Sequence, residues 1–313
     1  MKRLLLLQIL AGLLAVSLPG CQQLARISGR IGTTTPAQIT APSATTLKRQ
    51  FGWNNGDMRP IGIWHLSDKS RVTAENPAGW LDGPNWQAAY LARAIPVTHR
   101  IGAQGVIVWD LEGASQNGLD ANGAARMYIG SPDLAAAMNP GVDYVGFFKA
   151  IKAAGLIPGV CLRPHEYDPV AKLWRKSTDP YQTLARKAAF AYAWGCRIFY
   201  VDSNVSDVNG GEVLDPLIAA RLSVAFKDCL WIWEHETPAY YLWSAPYMEL
   251  RNGETAAPES VRSFIPTAFA AINISGGDVR GNASALLRGR SLFLVDSWCE
   301  NGAVTDYCDV LKN

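Results

Sequence analysis

Five short apolar runs each end in residues able to move protons or hold charge. They are GVIVWDLEG (105–113), LIPGVCLRPHE (156–166), RIFYVDSN (197–204), LWIWEHE (230–236) and SLFLVDSW (291–298). Asp202 closes RIFYVD, with Ser203 and Asn204 behind it. A carboxylate held at that place attacks an electrophilic anomeric carbon, or stabilises positive charge developing on it. Such chemistry needs a second carboxyl, kept protonated near neutral pH by burial or a neighbouring anion. Two residues meet that need: Glu249 in YMELR, with Arg251 nearby, and Glu236 in WEHE. Glu234 and Glu236 share a face of an extended chain while His235 points away, and Glu236, further along, is expected to reach the cavity.

Other residues at the run ends suit directed hydrogen bonding. Asp110 and Glu112 in WDLEG share a face, as do Arg163 and His165 in CLRPHEY. Carboxylates and Arg accept and donate several directed bonds, as sugar hydroxyls require. Asp296, Trp298, Trp64, His65 and Asn204 add further candidates. Trp64, Trp109, Trp233 and Trp298 offer flat walls for the apolar face of a sugar ring, with core packing as the alternative. Asp202 capping the next turn, and ion pairs to Arg163, Arg251 or His165, are the structural alternatives for the carboxyls.

These positions must be set by a repeating scaffold. A continuous apolar run reads as a strand buried on both faces, as in a parallel sheet covered by helices. Strands are expected near 60–65, 105–110, 157–163, 197–202, 229–234, 245–251, 267–273 and 291–296. Helices are expected near 84–101, with Pro96 an interruption, and at 143–155, 181–195, 215–228 and 278–290, with a short one in PESVRSFI. A long loop spans 111–139. Strands alternating with helices imply parallel pairing through right-handed crossovers. Eight such units over ~250 residues predict an α/β chain folded as a (β/α)8 TIM barrel, whose chemistry sits at the carboxyl ends of the strands. No Gly-rich phosphate fingerprint follows any strand, which disfavours a dinucleotide site, and the reading requires no cofactor.

On GLIPGVCLRP, FYVDSN and an acidic sixth strand, the chain resembles the retaining α-galactosidase group of glycoside hydrolase barrels. The resemblance implies a nucleophilic Asp202 after strand four and an acid from strand six. The chain departs from that group in having Tyr200 where Lys is common, and WDLE where Asp-Asp-Trp is usual.

The chain has 313 residues, 49% of them hydrophobic, enough for one large core. Its net charge of +2 is spread without a basic block, so nothing favours nucleic acid. Lys2 and Arg3, then an apolar stretch from Leu4 to Leu18, end in Leu18-Pro19-Gly20-Cys21. This resembles a lipoprotein signal with Cys21 as the lipidated residue, and Gln22 rather than Asp after it implies an outer-membrane lipoprotein facing the periplasm or the surface. Residues 22–58, rich in Thr, Ala, Ser, Gln and Gly, are expected to be a flexible tether to a barrel at 59–313. Export implies an oxidising compartment, so Cys299–Cys308 and Cys196–Cys229 are expected bridges, with Cys161 a buried thiol. No C-x-x-C or His/Cys cluster suggests zinc.

The leading expectation is an envelope glycoside hydrolase anchored by lipid. Two rivals stay open: a non-catalytic carbohydrate-binding barrel, and a metal-assisted hydrolase using Asp110, Glu112 and His165.

Overall fold

The computed structural model describes Trp53, residues 57–114, 129–296 apart from 172, 209 and 276, and 302–312. Eight parallel strands form the barrel: β1 Ile61–His65, β2 Gly105–Trp109, β3 Ile157–Leu162, β4 Ile198–Val201, β5 Leu230–Trp233, β6 Tyr247–Glu249, β7 Ala271–Asn273 and β8 Leu292–Asp296. Their order is β6-β7-β8-β1-β2-β3-β4-β5. The seam between β5 and β6 is bridged where the Ala245 N–H donates to the Trp231 carbonyl at 2.9 Å. The fold is a (β/α)8 TIM barrel.

Helices α1 Trp86–Arg100, α2 Pro132–Met138, α3 Tyr144–Ala153, α4 Pro180–Ala193, α5 Pro216–Ala225, α6 Glu259–Arg262, α7 Val279–Arg288 and α8 Gly302–Asp306 cover the sheet. Asp143, Asp179, Asp215 and Asp278 cap α3, α4, α5 and α7, each side chain accepting a first-turn N–H. Pro96 does not interrupt α1, which runs through it. The long loop between β2 and α3 contains α2, and residues 115–128 lie outside the described part.

Strand alternation divides the apolar residues into an inner and an outer shell. Ile61, Ile63, Ile107, Cys161, Ile198, Tyr200, Leu230, Ile232 and Leu294 fill the barrel. Gly159 leaves room for Ile198, since a Cβ there would fall 2.6 Å from the isoleucine Cβ. Between strands and helices, one apolar cluster lies under α1 and α3–α5 and a second under α6–α8. Much of the surplus Trp and Tyr goes to this outer shell, in pairs such as Trp80–Trp86, Tyr144–Trp194 and Trp233–Tyr240. Trp53 packs with the inner cluster, and Met58 lies against it, so the expected tether is in contact with the barrel at these two residues.

Two antiparallel hairpins not anticipated from sequence rise after β3 and β4. The first pairs Glu166–Asp168 with Leu173–Arg175, the second Val205–Asp207 with Gly210–Val213. Cys196 and Cys229 are not bridged, contrary to expectation; both are buried thiols. The register explains it: Ile198 pairs with Leu230, so Cys229 lies opposite Arg197, one residue past Cys196. Cys161 is a buried thiol in the barrel. Cys299 lies outside the described residues, as does Cys21.

Candidate active site

A cavity of about 490 Å³ opens at the carboxyl ends of the strands. Every strand contributes to its wall at or next to its end: His65, Trp109, Arg163, Asp202, Glu234, Glu249, Asn273 and Asp296. Tyr200, Tyr247, Ser203, Arg251 and Ser275 complete the rim, and Ile63 lies at the floor.

Asp202 and Glu234 are hydrogen-bonded to each other at the centre of this wall. Arg163 donates to one oxygen of Asp202 through both Nε at 2.7 Å and Nη2 at 2.6 Å. The Ser203 hydroxyl donates to the other at 2.8 Å. Ser203 has φ +52, a left-handed turn at the end of β4, and its backbone N–H donates to the Glu234 carboxyl. The two acids are driven apart. Burial opposes ionisation of Asp202, but Arg163 and the hydrogen bonds outweigh it and hold the carboxyl below its ordinary range. Burial and the Asp202 charge push Glu234 up to about 8. At neutral pH the pair therefore carries one proton, on Glu234. Two titratable groups whose surroundings separate their pKa values mark an acid and a base.

The structure thus assigns to Glu234 the position expected of Glu236. Glu236 is exposed, takes a hydrogen bond from Tyr241, and does not line the cavity. The chain leaves the sheet after Trp233, so the alternation that placed Glu236 higher on the same face no longer applies. Glu249 does line the cavity, but as a partner of Arg251, with Tyr247 donating to it at 2.9 Å. It occupies the ion-pair alternative.

Asp110 and Glu112 do not share a face. Asp110 adopts φ +57, which turns the chain out of the strand. Asp110 Oδ2 lies 3.1 Å from His65 Nδ1, and burial raises its carboxyl well above the ordinary range. Burial also lowers His65 to about 4, so the contact joins a neutral imidazole to the carboxyl. Glu112 is buried, raised to about 7 chiefly by that burial, and accepts the Ser131 N–H. His165 is buried too, its Nε2 3.1 Å from the Val205 carbonyl. Neither Asp110, Glu112 nor His165 lines the cavity. Their different partners remove the metal-site alternative built on them, and no metal-holding cluster occurs among the described residues.

Of the expected aromatic walls, Trp109 stands in the cavity, its ring 5.6 Å from His65 and 4.8 Å from Tyr200. Trp64 does not: Ile63 and His65 face inward, so Trp64 points out and meets Tyr90 of α1 edge-on at 6.1 Å. Trp233 likewise faces outward and stacks on Tyr240. Trp298 lies outside the described residues. Asn204 is a buried clamp, its amide donating to the His235 carbonyl and its oxygen accepting the His235 N–H. Asp296 faces the cavity as expected. Sequence reasoning preferred Glu236 and Glu249 to Glu234, the carboxyl that meets Asp202, and did not place Tyr200, Tyr247 or Asn273 in the cavity. Strand parity with Asp202 would have found Tyr200.

No protein-family profile matches the chain, and no match is found among curated proteins. Among solved structures it is similar to a putative α-L-fucosidase from Bacteroides thetaiotaomicron, with 14% identity and TM-score 0.43 over 82% of this chain and 65% of that one. It is similar also to an α-galactosidase from Lactobacillus brevis, with 10% identity and TM-score 0.43 over 82% of this chain and 40% of that one. A maltogenic α-amylase from Thermotoga neapolitana matches 62% of this chain and 50% of its own, with 10% identity and TM-score 0.40. The chain spans less than two thirds of the length of each.

Proposed function

We propose that the protein hydrolyses a glycosidic bond, with Asp202 as nucleophile and Glu234 as general acid. One observation carries the reading: Asp202, held by Arg163 and Ser203, lies against Glu234 in a polar cavity where all eight strands end, and the surroundings favour the charge on Asp202 and the proton on Glu234. Without substrate, Asp202 accepts the Glu234 proton. Retention requires the two carboxyls about 5–5.5 Å apart, so an entering substrate must part the hydrogen-bonded pair. The Glu234 proton then passes to the departing glycosidic oxygen as Asp202 bonds to the anomeric carbon. A water that gives its proton to Glu234 breaks that bond and releases the sugar. Trp109 and Tyr200 supply ring faces for the sugar, and Asn273 and Tyr247 supply directed polar contacts. The test is a panel of aryl glycosides of both anomeric configurations. Turnover of at least one, lost on Glu234 or Asp202 substitution, is the expected result. Sugar binding without turnover across the panel would instead favour the binding barrel.

The same proposal places the barrel on a lipid anchor at Cys21, in the bacterial outer membrane, facing the periplasm or the surface. The support is the amino-terminal sequence ending Leu18-Pro19-Gly20-Cys21. Cys21→Ser is expected to release the protein from the membrane fraction or leave it unprocessed. A variant that fractionates and matures like the wild type would remove the anchor.

A further inference from the structure

Lys187 on α4 is 1% exposed, although it sits on a helix where a lysine normally faces water. Its Nζ donates to the carbonyl of Arg163 at 2.8 Å and of His165 at 2.5 Å. These carbonyls flank Pro164, which has no N–H to offer a neighbouring strand. Arg163 is held from the other side as well, its N–H donating to the Gly130 carbonyl at 2.9 Å. Gly130 has φ +63, and a Cβ there would fall 2.8 Å from the Arg163 nitrogen, so the approach needs glycine. Above both cations lies Trp174 of the first hairpin, its ring centre 5.3 Å from Arg163 Cζ and 5.8 Å from Lys187 Nζ.

A buried ammonium is an expensive way to satisfy two carbonyls that water would satisfy in an open loop. Burial lowers Lys187 to about 7, with Glu166 and Glu112 supporting its charge and Arg186 and Arg163 opposing it. Local rules broken at such cost cluster where a site must be held. Here the held object is the guanidinium that keeps Asp202 ionised.

We propose that Lys187, together with Trp174, is the positioning element for Arg163, fixing the guanidinium so that two of its nitrogens fall on one oxygen of Asp202. The inference rests on reading Asp202 and Glu234 as the working pair. Arg163 lowers the proton affinity of both carboxyls. Loosening it must therefore raise the pH at which the pair gives up its shared proton.

That titration is measurable without substrate, by carboxyl infrared or ¹³C NMR on the full chain, with Glu234→Gln identifying the signal. Lys187→Met and Trp174→Leu are each expected to move the midpoint upward by about half a unit to one unit, a roughly threefold to tenfold change in proton affinity. Where a glycoside is turned over, kcat is expected to fall about tenfold with KM little changed, because the interaction acts on the reacting carboxylate. A role confined to packing would lower Tm and leave the midpoint in place. Trp174 is only partly buried on its hairpin, so Trp174→Leu decides the matter if Lys187→Met does not fold. A folded variant with an unmoved midpoint overturns the proposal. Failure of the hydrolase reading would appear separately, as a wild type that turns over nothing while the titration shift persists.

Discussion

Asp202→Asn is expected to abolish turnover of an aryl glycoside, a loss of about 10³-fold or more, or about 4 kcal/mol of transition-state stabilisation. The side chain keeps its size and an oxygen for Arg163, but loses the negative charge that meets the developing positive centre. Arg163 would then lie buried beside a neutral amide, and an unpaired buried cation is destabilising. Glu234 limits that cost. Its raised pKa owes part of its height to the Asp202 charge, so in the variant Glu234 ionises more readily and becomes the counter-ion of Arg163. The expected result is a folded protein with a modestly lower Tm, intact sugar binding and no turnover. Circular dichroism and calorimetric binding alongside the rate assay check all three. If Asp202 were only a turn cap, stability would fall and activity only in proportion to folded protein. A stable variant with wild-type turnover removes Asp202 as nucleophile.

The barrel and its carboxylate were legible because both depend on short-range pattern. RIFYVD is an apolar run closed by a charge, and in a parallel sheet such a run ends at the mouth whatever surrounds it. Legibility failed where the chain leaves the strand. Asp110 and Ser203 both take positive φ, which no alternation rule anticipates for these residues. The turn at Asp110 sends Glu112 to Ser131 rather than to the cavity, and the turn at Ser203 aims its own N–H at Glu234. Trp64 is a different case, because parity alone forbids Trp64 and His65 from facing the same way. Lys187 could not have been found from pattern. Nothing in YQTLARKAAFAYA marks one lysine as buried until the two carbonyls beside Pro164 are placed over it.

Glu234→Gln separates the acid from the nucleophile by its dependence on the leaving group. A proton donor matters in proportion to the basicity of the departing oxygen. The loss in kcat/KM is expected to be about 10²–10⁴-fold for an alkyl glycoside or a natural linkage, and small for a nitrophenyl glycoside, which leaves without help. On the nitrophenyl substrate kcat also falls, because Glu234 serves as base for the water that releases the sugar. Asp202→Asn should hurt both alike. The pH profile gives a second signature. Glu234 must carry its proton and Asp202 must not, so kcat/KM should fall as pH rises past about 8 and again in acid, where Asp202 protonates. In Glu234→Gln the alkaline fall should disappear. Stability carries a matching sign. With its folded pKa raised above the unfolded value of 4.5, Glu234 holds a proton in the native state that the unfolded chain has released. Its contribution is therefore fully present at pH below the unfolded pKa and is lost as pH rises to about 8. Glu234→Gln should flatten that slope in a series of thermal melts. A variant that keeps the alkaline fall, and loses as much on nitrophenyl as on alkyl glycosides, would move the acid to Glu249. That carboxyl faces the same cavity, but acting there requires it to part from Arg251.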